Sequence, residues 1–570
     1  MREKISKKNI VHCLILLGTM FLAIAVWYAP IFFQGYSFNE INSNQVLARN
    51  LVLTGKFSLE NEKNVILSSQ RIAAAGVPSA AAEKLIPAAS AAIYKIFGVP
   101  KEKEAILIGL FIYAVAFFIF SLLVWKLFDF KTAWLFSWLY IFLPVNWGTS
   151  LEPNAYEYCL LFLAGGLLVF FWPTAKAAKA KYIAAGFLLA LSFFGRNASG
   201  LIFPALLLWL FLYDRRAIWP FFASLLASVL IISSFFTWIL GAGGNYHFSY
   251  FGFGGEKNAG ADFGFYGHFY PDPYTYHFER TEYLQARKDA AAALGGLEAQ
   301  NINKRLANVE AGESSLGQNF KLAPLLLLKH LSNFFSLYYL GGPFILLFMI
   351  IGWRRLRVGR HPLATLAWLW IASVLFFLSL VVLAQRNHLM DFAFILVILL
   401  ALGLAELARF GQEYFSVGTH RLKSNFLLVI LAGLTTYQLI LGAKVLLGQS
   451  YNHNQKLLLG AYKEKVITHE LNSQDIIATP LGTGAIYTLN YFTDKSFVRF
   501  AEETVTKLLT ENKLDFAFQE FGVTKILGFS PDMSQAITQK TGAEIIADSQ
   551  IIIGKSDISP AKGLLLNIIK

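Results

Sequence analysis

Ile10-Val11-His12-Cys13-Leu14-Ile15-Leu16-Leu17-Gly18-Thr19-Met20-Phe21-Leu22-Ala23-Ile24-Ala25-Val26-Trp27-Tyr28-Ala29-Pro30-Ile31-Phe32-Phe33 is a charge-free apolar run. Arg2, Lys4, Lys7 and Lys8 precede it, and Tyr36-Ser37-Phe38-Asn39-Glu40 follows it. About 20 apolar residues cross a bilayer as a helix, so this run predicts a membrane span with its basic flank on the cytoplasmic side. Ala23-Ile24-Ala25 superficially resembles a signal-peptidase site, but the apolar run continues past it, so an uncleaved signal anchor is expected.

Composition extends that reading to the whole chain. The 570 residues are 56% hydrophobic and 15% charged, with mean hydropathy +0.50, whereas soluble domains use roughly 45–50% apolar and about 25% charged residues. A polytopic α-helical membrane protein is expected. Cys13 and Cys159 both sit in apolar runs and read as buried thiols rather than a disulfide or metal pair. The net charge of +13 would suggest nucleic acid in a soluble protein. In a membrane protein it reads as loop orientation, and no nucleic-acid partner is implied.

Further spans are readable at about 105–127, 132–149, 154–173, 182–195, 198–213, 217–240, 332–352, 362–384, 389–408 and 425–447, giving about eleven in all. With the N-terminus cytoplasmic, every loop assigned inside is basic: Lys126 with Lys131; Lys176, Lys179 and Lys181; Arg215 with Arg216; Arg354, Arg355, Arg357 and Arg360; Arg409, Arg421 and Lys423. The other side receives a first outer loop (34–104), tight turns near 150, 196 and 385–388, a long outer loop (241–330) and the tail. The expected organisation is a membrane domain over 1–450 and a small extracytoplasmic α/β domain over 451–570, in a cytoplasmic (inner) membrane.

The first outer loop carries two helical patterns. Residues 41–54 have an apolar face at Val46, Leu47, Leu51 and Leu53, and Leu85, Ile86, Ala89, Ile93, Ile96 and Phe97 form a second stripe. Both are expected to lie flat on the outer interface. In the tail, β-like runs at 475–479, 496–500, 524–529, 544–547 and 550–554 alternate with helical patterns at 501–512 and 531–541, without a phosphate loop or a His/Cys metal spacing. That domain reads as a binding or scaffolding appendage.

Few charges remain outside. Glu40 follows the first span and Glu152 precedes Pro153 in a tight turn. Each reads either as an acid favoured by a helix N-terminus or as a general base, metal ligand or acceptor ligand. Arg196 and Arg386, the latter near His388 and Asp391, read either as side chains reaching headgroups or as guanidinium donors to a lipid phosphate. The long loop is aromatic around Tyr246, His247 and His268, which fits either sugar stacking or an interfacial belt. Its histidines match no metal spacing.

Glu40-Ile41-Asn42-Ser43-Asn44-Gln45-Val46-Leu47-Ala48-Arg49-Asn50-Leu51-Val52-Leu53-Thr54-Gly55-Lys56-Phe57 resembles the GT-C membrane glycosyltransferases, in the branch of protein O-mannosyltransferases and the lipid A aminoarabinose transferase. There an acid after the first span leads into a surface helix ending at Gly; it is usually Asp, and Glu40 departs conservatively. Leu151-Glu152-Pro153, the helix from Lys84 to Phe97-Gly98 with its single Pro87, and Arg386-Asn387-His388 are similar to further motifs of that family. Glu83-Lys84 matches its metal-binding acid only loosely, and Leu389-Met390 replaces a Tyr pair often found there. The resemblance implies inverting transfer of a hexosyl or pentosyl group from a polyprenyl-phosphate donor to a lipid, glycan or protein acceptor. Glu40 and Glu152 would be catalytic, Arg196, Arg386 and His388 would hold the phosphate, and a divalent metal is possible. A transporter or flippase of lipid-linked sugars, or a membrane scaffold with a glycan-binding tail, remains the alternative; neither would need an acid after its first span.

Overall fold

In a computed structural model the chain divides into two units: Met1–Phe32 with Lys103–Ile232 and Asn319–Ser450, and Phe33–Glu102 with Ser233–Gln318 and Tyr451–Lys570. The structure describes residues 7–34, 43–55, 66–67, 85–100, 102–149, 156–172, 178–238, 345–359, 361–381, 393–414, 420–448, 450–472 and 474–550, with shorter pieces of 272–289 and 324–343.

Every expected span contains a helix. In chain order the helices to the end of the last span are α1 (Lys7–Gln34), α2 (Ser43–Thr54), α3 (Leu85–Phe97), α4 (Glu102–Leu127), α5 (Phe130–Ile141), α6 (Pro144–Thr149), α7 (Tyr156–Phe170), α8 (Ala178–Gly195), α9 (Ile202–Tyr213), α10 (Ile218–Trp238), α11 (Pro273–Phe278), α12 (Ile345–Val358), α13 (Pro362–Val381), α14 (Ala393–Tyr414) and α15 (His420–Gly448). Among the described residues, α1, α4, α10 and α14 are long and apolar enough to cross a membrane, and α7, α9, α13 and α15 are shorter apolar helices. Large apolar side chains such as Phe21, Trp219 and Ile231 stay exposed, as they should where hydrocarbon is the solvent.

Two spans differ from the expectation. The run 132–149 is broken between α5 and α6 because Pro144 has no N–H to give the Tyr140 carbonyl. The freed acceptors are satisfied elsewhere: Tyr140 O by the Leu143 N–H and Asn146 Nδ2, and Ile141 O by the Trp27 indole at 2.9 Å. In the expected span 332–352 the long helix among the described residues begins at Ile345. Gly341 and Gly342 turn the chain ahead of it at φ 97° and 109°, a region that glycine enters without a Cβ penalty.

Close helix contact in this unit depends on small residues, as it must where lipid supplies no hydrophobic drive between helices. At the crossing of α12 and α14, a Cβ on Gly352 would overlap the Leu399 carbonyl oxygen, and one on Gly403 would overlap that of Phe348.

The second unit centres on a five-stranded parallel sheet, ordered β1-β3-β2-β4-β5. The tail supplies α16 (Ser450–Thr468), β2 (Ile476–Thr479), α17 (Thr483–Thr493), β3 (Ser496–Arg499), α18 (Glu502–Thr510), α19 (Leu514–Glu520), β4 (Val523–Leu527), α20 (Pro531–Thr541) and β5 (Glu544–Ala547). Strand β1 (Ile66–Leu67) comes from the first loop and pairs Ile66 with Phe497 and Leu67 with Val498. It takes the edge position on β3, while the expected strand 550–554 lies, beyond Gln550, outside the described residues. Ala478, Val498, Phe500, Leu508, Phe518 and Ile526 are among the residues forming the core between sheet and helices, covering a parallel sheet on its faces as such sheets require.

Both extramembrane loops contribute to this unit. Asp272 is fully buried; its carboxylate caps α11 at Thr275 N (2.9 Å) and also accepts Ala501 N (3.0 Å) at the start of α18. Tyr274 enters the core, and Lys507 pairs with Glu279 at 2.9 Å. Asp272→Ala is expected to cost about 2 kcal/mol, because two backbone N–H groups lose a buried acceptor. Thermal unfolding followed by intrinsic fluorescence checks this; an unchanged midpoint would show that water replaces the carboxylate.

Helices α2 and α3 occupy the expected stretches and pack on each other through Ala48, Ala91 and Tyr94. On α3 the end stays open, with Ile96 74% and Phe97 81% exposed. Residues 44–50 of α2 are buried without interruption, so this helix is enclosed by protein rather than laid flat on an interface. A surface amphipathic helix would leave its polar face in solvent; here Gln45, Arg49 and Asn50 are covered.

Candidate functional site

Polar and ionisable side chains inside an apolar bundle are costly to place and mark where function lies. In the helical unit one group of them is joined by mutual contacts. Tyr113 of α4 donates to Asn146 Oδ1 of α6 at 2.8 Å and lies 3.2 Å from the Tyr140 hydroxyl. The Trp27 ring of α1 stacks at an angle on Tyr113, with centroids 4.8 Å apart. Glu157 in the first turn of α7 is buried, and both it and buried Tyr339 lie within electrostatic range of Tyr113. Asn146 is thereby fixed two ways, six residues ahead of Glu152 in the sequence.

Arg196 ends α8. Gly195 lets α8 approach α7 so closely that a Cβ there would stand 3.1 Å from the Cys159 Cα, and Ser192 Oγ donates to Cys159 O at 3.1 Å. The Arg196 N–H donates to Ser192 O at 2.9 Å, while its own carbonyl accepts the Ser199 N–H at 3.0 Å and the Ser199 hydroxyl at 2.9 Å. A short 3-10 turn at Asn197–Leu201 follows before α9. The Arg196 side chain is only 7% exposed. A guanidinium held this far inside the protein is a charge that must be matched by a partner.

Of the residues singled out from sequence, Arg196 is the one the structure describes. Glu40 lies outside the described residues between α1 and α2, Glu152 between α6 and α7, Arg386 and His388 with Asp391 between α13 and α14, and Tyr246, His247 and His268 between α10 and α11. Among the described residues, no three His, Cys, Asp or Glu side chains gather as metal ligands.

Sequence reasoning passed over Glu157, Tyr113 and Asn146. Glu157 stands inside the run 154–173, and a lone acid in a span was signal enough. It also passed over Arg49. That residue falls three positions after Val46 and four before Leu53, on the apolar stripe of α2, where a cation needs a partner. The structure supplies it in the second unit. Arg49 Nη1 donates to Asn490 O (2.9 Å) and Tyr491 O (2.8 Å), Nη2 to Asn490 Oδ1 (3.1 Å) and Asn50 Oδ1 (3.1 Å), and Nε to Asn50 Oδ1 (3.2 Å). Burial pushes the Arg49 pKa down, opposed by Asp494 at 3.6 Å and by Tyr491.

No protein-family model matches the chain, and no curated protein does. Solved structures do. The crystal structure of the Archaeoglobus fulgidus oligosaccharyltransferase with Zn and sulfate aligns at TM-score 0.52 and 13% identity, covering 89% of this chain and 67% of that one. Oligosaccharyltransferase AglB of the same organism, with an inhibitory peptide and a dolichol-phosphate, aligns at TM-score 0.52 and 12% identity over 90% and 69%. ArnT from Cupriavidus metallidurans bound to undecaprenyl phosphate aligns at TM-score 0.46 and 10% identity over 94% and 89%. At these identities the likeness is one of fold. The chain is a multi-pass membrane protein with the GT-C fold of membrane glycosyltransferases.

Proposed function

We propose that the chain is an inverting glycosyltransferase that moves a hexosyl or pentosyl group from a polyprenyl-phosphate donor to a lipid, glycan or protein acceptor at the outer face of the cytoplasmic membrane. The observation that carries this reading is the near-complete burial of Arg196 at the end of an apolar helix in a GT-C fold. An arginine that only reached for headgroups would leave its guanidinium exposed. The oligosaccharyltransferase of this fold is seen with a dolichol-phosphate, a carrier of the same chemical class.

The acceptor hydroxyl or amine attacks the anomeric carbon while the bond from that carbon to the phosphate oxygen breaks on the opposite face. Glu40 takes the acceptor proton, and the electron pair leaves with the lipid phosphate. Charge grows on that phosphate as the bond opens, so Arg196, Arg386 and His388 stabilise the transition state more than the ground state. Glu152 orients the acceptor or holds a divalent cation, and Tyr246, His247 and His268 contribute to substrate binding. The basic character of the loops assigned to the cytoplasm supports an extracytoplasmic side for Glu40, Glu152, Arg196 and Arg386.

Binding of undecaprenyl phosphate to the purified protein in detergent tests the phosphate site. Arg196→Ala and Arg386→Ala are each expected to weaken it about tenfold or more, the loss of one charge-assisted contact. Wild-type affinity in both variants would remove the phosphate role. Sealed vesicles separate the transporter reading, which demands translocation of a lipid-linked sugar with no new glycosidic bond.

A further inference from the structure

Opposite the arginine that ends it, α8 begins with a second fixed cation. Lys181 in its first turn donates to the Trp172 carbonyl, just beyond α7, at 3.1 Å, and its ammonium stands 4.7 Å from the centroid of the Tyr182 ring. Lys126 in the last turn of α4 reaches the same tryptophan. Its ammonium lies 5.0 Å from the centroid of the Trp172 ring and 5.7 Å from that of Trp125. The ends of α4 and α7 and the start of α8 thus bring two ammonium groups to one indole that is 40% exposed. Trp125 is itself braced by the His12 ring of α1, which meets it edge-on at 5.6 Å and stacks on Phe130 at 3.8 Å.

A lysine that serves only to orient a loop extends into water and keeps its rotamer freedom. These two give that freedom up, yet among the described residues no carboxylate lies within ion-pair distance of either. The acid in electrostatic range of Lys181 is Asp214, whose carboxylate accepts the Tyr182 hydroxyl at 3.0 Å. Ring faces hold a cation without using its N–H donors, so Lys126 keeps three and Lys181 two for an incoming acceptor. An exposed indole beside them suits headgroup depth. Ile183 and Phe187, one turn apart on α8, are also exposed, so apolar surface fit for acyl chains begins directly beyond the lysine. We propose that Lys126, Lys181 and Trp172 form a binding site for the phosphate of an anionic phospholipid, on the membrane face that carries the basic loops. Basic pockets between spans suit such headgroups. The site is separate from the proposed donor-phosphate site, because Lys181 and Arg196 are fifteen residues apart along one helix, about 22 Å.

The test uses the purified full chain in detergent micelles, with phosphatidylglycerol or phosphatidylcholine added and the bound lipid counted by native mass spectrometry. The wild type is expected to retain phosphatidylglycerol in preference to phosphatidylcholine. Lys126→Gln and Lys181→Gln should each weaken phosphatidylglycerol binding about tenfold, the loss of one charge-assisted contact. Lys131→Gln and Arg216→Gln remove the same charge from exposed positions in neighbouring loops and should leave binding within about twofold. Trp172→Ala should weaken it about fivefold with no change in net charge, because Lys126 loses a ring that holds it. If that variant does not fold, the lysine variants carry the comparison. Equal losses in all four charge variants would mean diffuse attraction and overturn the proposal, as would equal retention of the two lipids or unchanged binding in the Lys126 and Lys181 variants. A matching loss of undecaprenyl phosphate binding in Lys126→Gln and Lys181→Gln would assign these cations to the carrier and overturn the phospholipid site.

Discussion

Glu40→Gln is expected to lower sugar transfer by about 10²- to 10⁴-fold, the usual worth of a positioned general base, with folding and lipid-phosphate binding intact. Gln keeps the size and one oxygen acceptor but cannot take a proton. The acceptor must then attack as a neutral hydroxyl or amine that has lost none of its proton, which raises the barrier for bond formation at the anomeric carbon. The loss should fall on kcat, since an interaction made only in the transition state leaves ground-state binding alone. Steady-state turnover at saturating donor measures it. Wild-type kcat in Glu40→Gln would dismiss Glu40 as the base and leave Glu152 as the next acid to replace.

The largest structural effect is expected at Gly403. Its added methyl in Gly403→Ala would overlap the Phe348 carbonyl oxygen, which belongs to the backbone of α12 and cannot rotate away. The two helices must separate along their whole crossing. Overpacking of that kind costs about 3 kcal/mol, enough to remove much of a membrane protein's stability margin. Gly352→Ala meets the Leu399 carbonyl and should behave alike. Gly433→Ala is the contrast, since no atom lies within 4 Å of the new methyl, and a helical Ala gains about 0.5–1 kcal/mol over Gly. Melting midpoints of the three variants in one detergent decide the matter; equal midpoints for Gly403→Ala and Gly433→Ala would mean the helices shift freely.

What the sequence made legible follows from where the information lies. Apolar spans are local, and each sits on a helix, including α8, whose apolar part is short but whose helix starts at Ala178. Pro144 breaks the expected span 132–149, and the break is stable because an indole 114 residues away fills the opened carbonyl, which no local pattern contains. The same distance problem hides β1, a two-residue strand with no alternation to detect, and the enclosure of α2, whose Arg49 is met from 441 residues downstream. At the candidate site, Arg196 was legible as a lone cation in its turn. Glu157 was missed because a first-turn acid resembles an ordinary helix start, although its place inside an apolar run already marked it, and its burial bears that mark out.

The edge strand also has a consequence in time. Ile66 and Leu67 are synthesised more than four hundred residues before the Phe497 and Val498 they pair with. At about 5–20 residues per second, the first loop waits roughly 20–90 s before its partner strand is made. During that interval Arg49 has no carbonyls to meet, and the buried setting of α2 forms only once residues 490–498 exist.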